Sequence, residues 1–279
     1  MIIIKDIKTL KNQLSNIKNN SKTIGFVPTM GALHYGHISL IERSNEENDF
    51  TVCSIFVNPT QFNNKADLEK YPITLEADIK KLEKSNCTFL FFPSVAEMYP
   101  ANEENKMYEL GYLETILEGK YRPGHFQGVC IIVDKLLAAV MPHTLYLGRK
   151  DYQQCMVIKK MMQGKPYNIK LSICETIREK DGLAMSSRNM RLNEKERQAA
   201  LCIIESLKMI KDGLQEGALL QLKKDSTTFL EKKGYKVDYT EIADAETLEL
   251  QEQWDGKKKM VALVAAYLNE VRLIDNIIL

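Results

Sequence analysis

Through the first two thirds of the chain the apolar positions follow one repeating pattern: a short apolar run, a turn, then a longer stretch with apolar residues at helical spacing. Met1–Ile4, Thr23–Val27, Thr51–Val57, Thr88–Phe92, Thr144–Leu147 and Asn168–Thr176 read as strands, several of them apolar enough to be buried on both faces. Between them, Lys5–Lys18, the stretch carrying Ile38, Leu40 and Ile41, Asp67–Ser85 (Leu75, Ile79, Leu82), Val129–Val140 and the segment after Lys150 read as helices. A loop around Tyr99, Pro100 and Asn102 reads as surface. Strands alternating with helices predict an α/β architecture, a Rossmann-like doubly wound parallel sheet over residues 1–175. The order then changes. Asn193 is placed to cap a long helix running through about Lys211, a second covers roughly Leu219–Lys232, and strands follow at Val237–Ile242 and Met260–Leu268. Helices followed by strands predict a smaller α+β domain over 176–279.

Composition leaves that picture in place. The chain has 279 residues, 44% hydrophobic and 27% charged, an ordinary globular mix that can bury a core unaided. A formal net charge of +1 supplies no global field for recruiting nucleic acid or an acidic membrane. The start, M-I-I-I-K-D, has too short an apolar run for a secretory signal. The longest apolar run, Met260–Leu268, falls well short of the ~20 residues a helix needs to span a bilayer. Cys53, Cys87, Cys130, Cys155, Cys174 and Cys202 are widely spaced with no C-x-x-C, and most sit in apolar runs. They read as reduced, buried thiols of a cytoplasmic protein. The lone Trp254 reads as packing or surface.

The chemistry concentrates at the junctions that follow strands. Pro28–His37 reads P-T-M-G-A-L-H-Y-G-H between an apolar strand and an amphipathic helix. A helix start offers unpaired N–H groups and a partial positive charge to an anion. Gly31 lets the chain turn, Gly36 allows close approach of a ligand, and His34 and His37 fall on one face of the first turn. The set suits a nucleotide triphosphate. A zinc pair fits less well, because no Cys, Asp or Glu stands at ligand spacing, and the G-x-G-x-x-G pattern is absent. Asn58-Pro59-Thr60-Gln61 closes the next strand, at the edge where open parallel sheets bind ligands; it is either a plain turn or a pair of amides orienting a small polar substrate. Leu117–Gly128, with Lys120, Arg122 and His125, is a glycine-rich helix start. Gly148-Arg149-Lys150-Asp151 puts cations at a helix start, against the helix dipole, which favours an arriving anion there; Gln154 lies one turn beyond Lys150. Met185-Ser186-Ser187-Arg188 sets two hydroxyls beside a guanidinium, a combination that can grip phosphate oxygens.

Taken in order, P-T-M-G-A-L-H-Y-G-H, S-I-F-V-N-P-T-Q-F, R-P-G-H-F-Q-G-V, G-R-K-D-Y-Q-Q, D-G-L-A-M-S-S-R-N and R-L-I-D-N resemble the pantoate–β-alanine ligase family across nearly the whole chain. That family belongs to the nucleotidyltransferase superfamily with an H-x-G-H motif, and M-S-S-R-N resembles its serine-basic second signature. The resemblance implies ATP, (R)-pantoate and β-alanine as substrates, with Mg²⁺. It implies a pantoyl-adenylate intermediate, a cytoplasmic homodimer built mainly through the N-terminal domain, and no nucleic-acid or membrane partner. Carried over to this sequence, the ATP contacts are Met30, Gly31, Ala32, Leu33, His34, Tyr35, Gly36, His37, Gly148, Arg149, Lys150, Asp151, Ile177, Met185, Ser186, Ser187 and Arg188. His34, His37, Lys150 and Arg188 would stabilise phosphate charge, with the family's proton donor on His37, and Gln61 and Gln154 would hold pantoate. Ile177 falls at a backbone contact to adenine, and Met185–Asn189 at the junction of a lid. Arg122 and His125 lie in a matching motif without an assigned role, and the sequence does not say which protein groups, if any, touch Mg²⁺. Tyr35 and Arg149 depart from the commoner family residues, but both lie between motif positions. The competing readings are another H-x-G-H nucleotidyltransferase acting on a phosphorylated small molecule, and a nucleotide-binding module without catalysis. Consumption of an amine with release of AMP separates the ligase from both.

Overall fold

The computed structural model describes residues 1–63, 65–101 and 106–279; Asn102 of the Tyr99–Asn102 loop lies outside them. The chain forms two compact units. One comprises Met1–Arg149 with Val157–Glu175, the other Lys150–Met156 with Thr176–Leu279.

In the first unit six strands form one sheet: β1 (Ile2–Ile4), β2 (Ile24–Thr29), β3 (Phe50–Ile55), β4 (Phe89–Phe91), β5 (Thr144–Gly148) and β6 (Lys170–Cys174). Their spatial order is β1-β4-β3-β2-β5-β6 and every pairing is parallel. This is the doubly wound sheet expected from the alternation. The central strands carry unbroken apolar runs because helices cover both faces; Ile24, Phe26, Val27, Val52 and Leu90 are fully buried. From β2 the chain winds outward through β3 to β4, then returns to place β5 on the other flank of β2. The order therefore reverses between β2 and β5, and the crevice beyond their carboxyl ends is where such sheets bind ligands.

Two helices of this unit differ from expectation. Asp67–Ser85 is not continuous; it is Lys65–Glu69 followed by Leu75–Lys84. Pro72 causes the break, since it has no N–H to donate and disfavours helical geometry at Tyr71. The long apolar helix starts at His125 rather than Val129 and runs to Val140, so Gln127 and Gly128 are helical. All six cysteines are free thiols, and only Cys174 is more than marginally exposed. Burial pushes the Cys87 and Cys130 thiols up to about 12, which leaves them unreactive at neutral pH.

The second unit holds a short pair, β7 (Gly217–Ala218) with β9 (Gln253–Trp254), and an antiparallel sheet of β8 (Lys236–Asp244), β10 (Met260–Leu268) and β11 (Val271–Ile278) in the order β11-β10-β8. The helices Cys202–Asp212 and Leu220–Lys232 bury Ile203, Leu207, Ile210 and Leu230 in a core shared with Ile242, Ala262, Val264 and Leu273 of the sheet. Trp254 spans the β9 turn, its indole N–H donating to the Lys258 carbonyl at 2.8 Å. Asn193 caps its helix as expected, in a reciprocal box with Glu196: Asn193 Oδ1 accepts from the Glu196 N–H at 3.0 Å, and Glu196 Oε2 accepts from the Asn193 N–H at 2.9 Å. That helix stops at Ala199 instead of running on to Lys211. The buried Tyr235 hydroxyl donates to the Ala199 carbonyl at 2.8 Å, and the Ile203 N–H turns to the Ala200 carbonyl. Among the described residues no helix is long and apolar enough to cross a membrane.

Candidate functional site

The first group of site residues is built on the turn after β2. Gly31 has φ +83° and Ala32 φ +48°, so the chain makes a sharp left-handed turn straight off the strand. A side chain at Gly31 would be strained by that φ and would crowd Ile55 and Asp78 at 3.1 and 3.3 Å. Asp78 is the clamp. It is 1% exposed, and its Oδ2 and Oδ1 accept from the Ala32 and Leu33 N–H groups, each at 2.8 Å. The Thr74 hydroxyl lies 3.1 Å from both oxygens, and the Lys81 ammonium donates to the Leu33 carbonyl. Thr29 closes the other side: its hydroxyl donates to the Ser54 carbonyl at 2.7 Å and accepts from the Gly31 N–H at 3.2 Å.

The turn delivers the chain into the helix Tyr35–Glu47, for which His34 is the N-cap. The His34 N–H donates to His37 Nδ1 at 3.3 Å, and the two rings lie 4.0 Å apart at 33°. A ring accepting at Nδ1 carries its proton on Nε2 in the neutral form, so His37 is left with a donor edge at a helix N-terminus. Met30, Gly31, Ala32, Leu33, His34, Gly36 and His37 are thereby gathered around one turn. Tyr35 stands apart from them: it is 55% exposed and its hydroxyl donates to Glu42 Oε2 at 3.2 Å.

Gln61 joins this group. It lies in a short 3-10 turn, Pro59–Gln61, and its Nε2 sits 3.0 Å from the Met30 sulfur. Asn58, 1% exposed, donates from Nδ2 to Gln61 Oε1 and to the Gly128 carbonyl, both at 3.1 Å, and accepts from the Tyr99 hydroxyl at 2.6 Å. The Gln61 carbonyl accepts from His125 Nδ1 at 2.8 Å and from Arg122 Nη2 at 3.5 Å. The Arg122 guanidinium is held in turn by Glu118, at 3.4 Å. Arg122 and His125, for which sequence alone assigned no role, thus both hold the Gln61 carbonyl. Gly128 completes the frame, since a Cβ there would lie 2.5 Å from the Thr60 carbonyl oxygen. Gly128→Ala is expected to push the Pro59–Gln61 turn away and to cost about 1–3 kcal/mol of stability, the usual scale of overpacking, which urea unfolding checks.

Gly148 ends β5 and Arg149 follows it, at the same end of the sheet as the β2 turn; Arg149 Nη1 pairs with Glu175 at 3.6 Å. The remaining expected residues belong to the second unit. Lys150 and Asp151 form a 3-10 turn leading into the helix Tyr152–Gln163, with the ammonium 3.6 Å from Asp151 Oδ1. Gln154 is half-buried on the first turn of that helix. Ile177 and Met185 pair across a hairpin that turns at Asp181-Gly182, the Met185 N–H donating to the Ile177 carbonyl at 3.0 Å. Ser186 caps the 3-10 turn Ser187–Arg191, its hydroxyl accepting from the Arg188 N–H at 3.3 Å. Sequence reasoning missed Asp78 and Thr74, and gave no role to Asp275 and Asn276 of the R-L-I-D-N motif. Asp78 did leave a signal, a carboxylate on the same helix stripe as Leu75, Ile79 and Leu82.

A reversed strand order with a helix N-terminus aimed past the switch point defines an α/β fold of the nucleotide-binding type. The comparisons narrow this to one family of enzymes. The family model described as pantoate-beta-alanine ligase matches residues 2–278. Pantothenate synthetase from Bacteroides fragilis (strain YCH46) is 45% identical over 99% of this chain and 98% of its own. That of Thermotoga petrophila is 45% identical over the whole of both. The crystal structure of pantothenate synthetase from Thermus thermophilus superposes with a TM-score of 0.91 at 36% identity, covering 99% of each chain. The pantoate-beta-alanine ligase of Francisella tularensis, complexed with β-γ ATP and β-alanine, superposes with a TM-score of 0.83 at 38% identity, covering 99% of this chain and 97% of that one. The chain belongs to the pantoate–β-alanine ligase family.

Proposed function

We infer that the chain condenses (R)-pantoate with β-alanine, using ATP and releasing AMP and pyrophosphate. The observation that carries this is Gln61, a buried amide locked beside Met30 by Asn58, His125 and Arg122. A fixed amide of this kind suits the recognition of a small polar substrate such as a hydroxy acid. The ATP and β-alanine named in the Francisella tularensis complex support the same substrates here.

The pantoate carboxylate attacks the α-phosphorus of ATP, the bond to the β-phosphate oxygen breaks, and pyrophosphate leaves with the electron pair. The β-alanine amine then attacks the acyl carbon, and AMP departs from the tetrahedral intermediate. No side chain forms a bond to substrate. In this reading catalysis comes from alignment and from donors aimed where charge develops. The turn at Met30–Leu33, with Gly36, receives the nucleotide, and Gly148, Arg149 and Asp151 are further nucleotide contacts in this reading. His34, His37, Lys150 and Arg188 meet the phosphates, Ser186 and Ser187 grip their oxygens, and Ile177 and Met185 border the adenine. Gln61 and Gln154 orient pantoate. Residues 1–175 are the nucleotide- and pantoate-binding domain in this reading and 176–279 the smaller domain, with Lys150–Met156 packed as part of the latter. Mg²⁺, when bound with ATP, would offset charge on the phosphates that His34, His37, Lys150 and Arg188 meet. Among the described residues no group of three or more His, Cys, Asp or Glu is placed to hold a metal ion. The working form is a cytoplasmic homodimer.

Gln154→Ala tests the pantoate assignment. The expected result is a pantoate KM raised by about tenfold or more, the loss of a hydrogen bond to a charged group, with ATP KM little changed. Equal rises in both constants would remove Gln154 from the pantoate site.

A further inference from the structure

The segment R-L-I-D-N, Arg272–Asn276, lies in β11 and has no part in the mechanism above. Its last two residues are nevertheless buried and polar, Asp275 at 3% and Asn276 at 4% exposure. Asp275 takes both arms of the Arg178 guanidinium, Nη1 to Oδ2 at 2.6 Å and Nη2 to Oδ1 at 3.1 Å. Arg178 also donates to the Gly182 carbonyl at 3.1 Å and to the Asn276 carbonyl at 3.3 Å. Asp275 Oδ1 accepts from the Asn276 N–H at 2.8 Å, and Asn276 Nδ2 donates to the Lys150 carbonyl at 2.9 Å. All of these residues belong to the second unit.

A buried ion pair is a poor way to gain stability, because apolar side chains of similar volume often serve as well or better. What it adds is geometry: a planar fork on a carboxylate fixes distance and orientation together. Here it fixes two things. Arg178 bridges to Ala184 across the hairpin that leads to Met185–Arg188, and its partner Asp275 orients Asn276. Asn276 then holds the main chain at Lys150. Lysine is a point charge on a flexible stem, so the reach of its ammonium depends on where its backbone is held. Lys150 sits in the three-residue 3-10 turn Arg149–Asp151, directly before the helix Tyr152–Gln163.

We propose that Asn276, oriented by the Arg178–Asp275 pair, is a positioning residue for the adenylation step. It fixes the Lys150 backbone so that the ammonium meets the triphosphate. This rests on the reading that Lys150 contacts the ATP phosphates. The test is a double-mutant cycle on the full-length enzyme, measured by pantoate-dependent ATP–pyrophosphate exchange with thermal midpoints alongside. Asn276→Ala is expected to raise ATP KM and lower the exchange rate, together by about tenfold to a hundredfold, the scale of a small misplacement of a catalytic group. Pantoate KM stays within about twofold, and Lys150→Ala loses about a hundredfold or more. The double variant is expected to be no worse than Lys150→Ala, because nothing remains to be positioned. Additive losses, or an Asn276→Ala enzyme with normal ATP KM, would overturn the proposal and leave the role of Lys150 standing. A fully active Lys150→Ala enzyme would overturn both. If Asn276→Ala fails to fold, Arg178→Met with Asp275→Leu fills the same volume with apolar groups and must show the same ATP-specific loss. Normal ATP use in that folded variant overturns the proposal equally.

Discussion

Replacing His37 by alanine is expected to lower kcat for adenylate formation by about a hundredfold or more, the usual loss when a donor aimed at developing charge is removed. The geometry makes the prediction specific to one nitrogen. His37 Nδ1 is occupied by the His34 N–H, so Nε2 is the edge that can donate to a phosphate oxygen. The effect should fall on kcat more than on ATP KM, since the charge it meets grows as the pyrophosphate leaves. His37→Gln, which keeps an amide donor, should recover part of the loss. Single-turnover measurement of pantoyl-adenylate formation reads this step apart from amine attack. A His37→Ala enzyme with unchanged kcat would take His37 out of the mechanism.

Asp78→Ala carries the largest expected effect on stability. The carboxylate accepts from two backbone N–H groups, at Ala32 and Leu33, in a site that water does not reach. Alanine leaves both donors buried and unpaired, at about 1–3 kcal/mol each. It also empties the space the carboxyl fills, so a loss of about 3–5 kcal/mol is expected in urea unfolding. The same change frees the turn that Ala32 holds at φ +48°, so ATP KM should rise even where the variant stays folded. Asp78→Asn keeps one acceptor oxygen and should lose roughly half as much. An Asp78→Ala enzyme with wild-type stability would show that the turn is held by something else.

Much of this was legible in the sequence, and for identifiable reasons. The parallel sheet follows from apolar runs too continuous for strands with one wet face, and its six strands fall close to the places those runs mark. The Asn193 cap was visible because a capping box is local. What was hidden depends on contacts between distant segments. The Tyr235 hydroxyl that ends the helix at Ala199 is 36 residues away in sequence. Asp78 reaches back 46 residues to the Ala32 N–H. Strand β11 escaped notice because Asp275 and Asn276 interrupt its apolar pattern, and the ion pair that explains them begins at Arg178. Pro72 is the exception: its effect on the Asp67–Ser85 helix was readable locally. In the site, the residue types were evident from the motifs. The tie from His125 and Arg122 to the Gln61 carbonyl was not, because a backbone acceptor leaves no mark in the sequence.

The most direct test of the central claim is ATP–pyrophosphate exchange in the presence of pantoate and Mg²⁺ and the absence of any amine. The account predicts exchange that depends on pantoate, and release of AMP with formation of pantothenate once β-alanine is added. An enzyme that binds ATP but shows no pantoate-dependent exchange would contradict it.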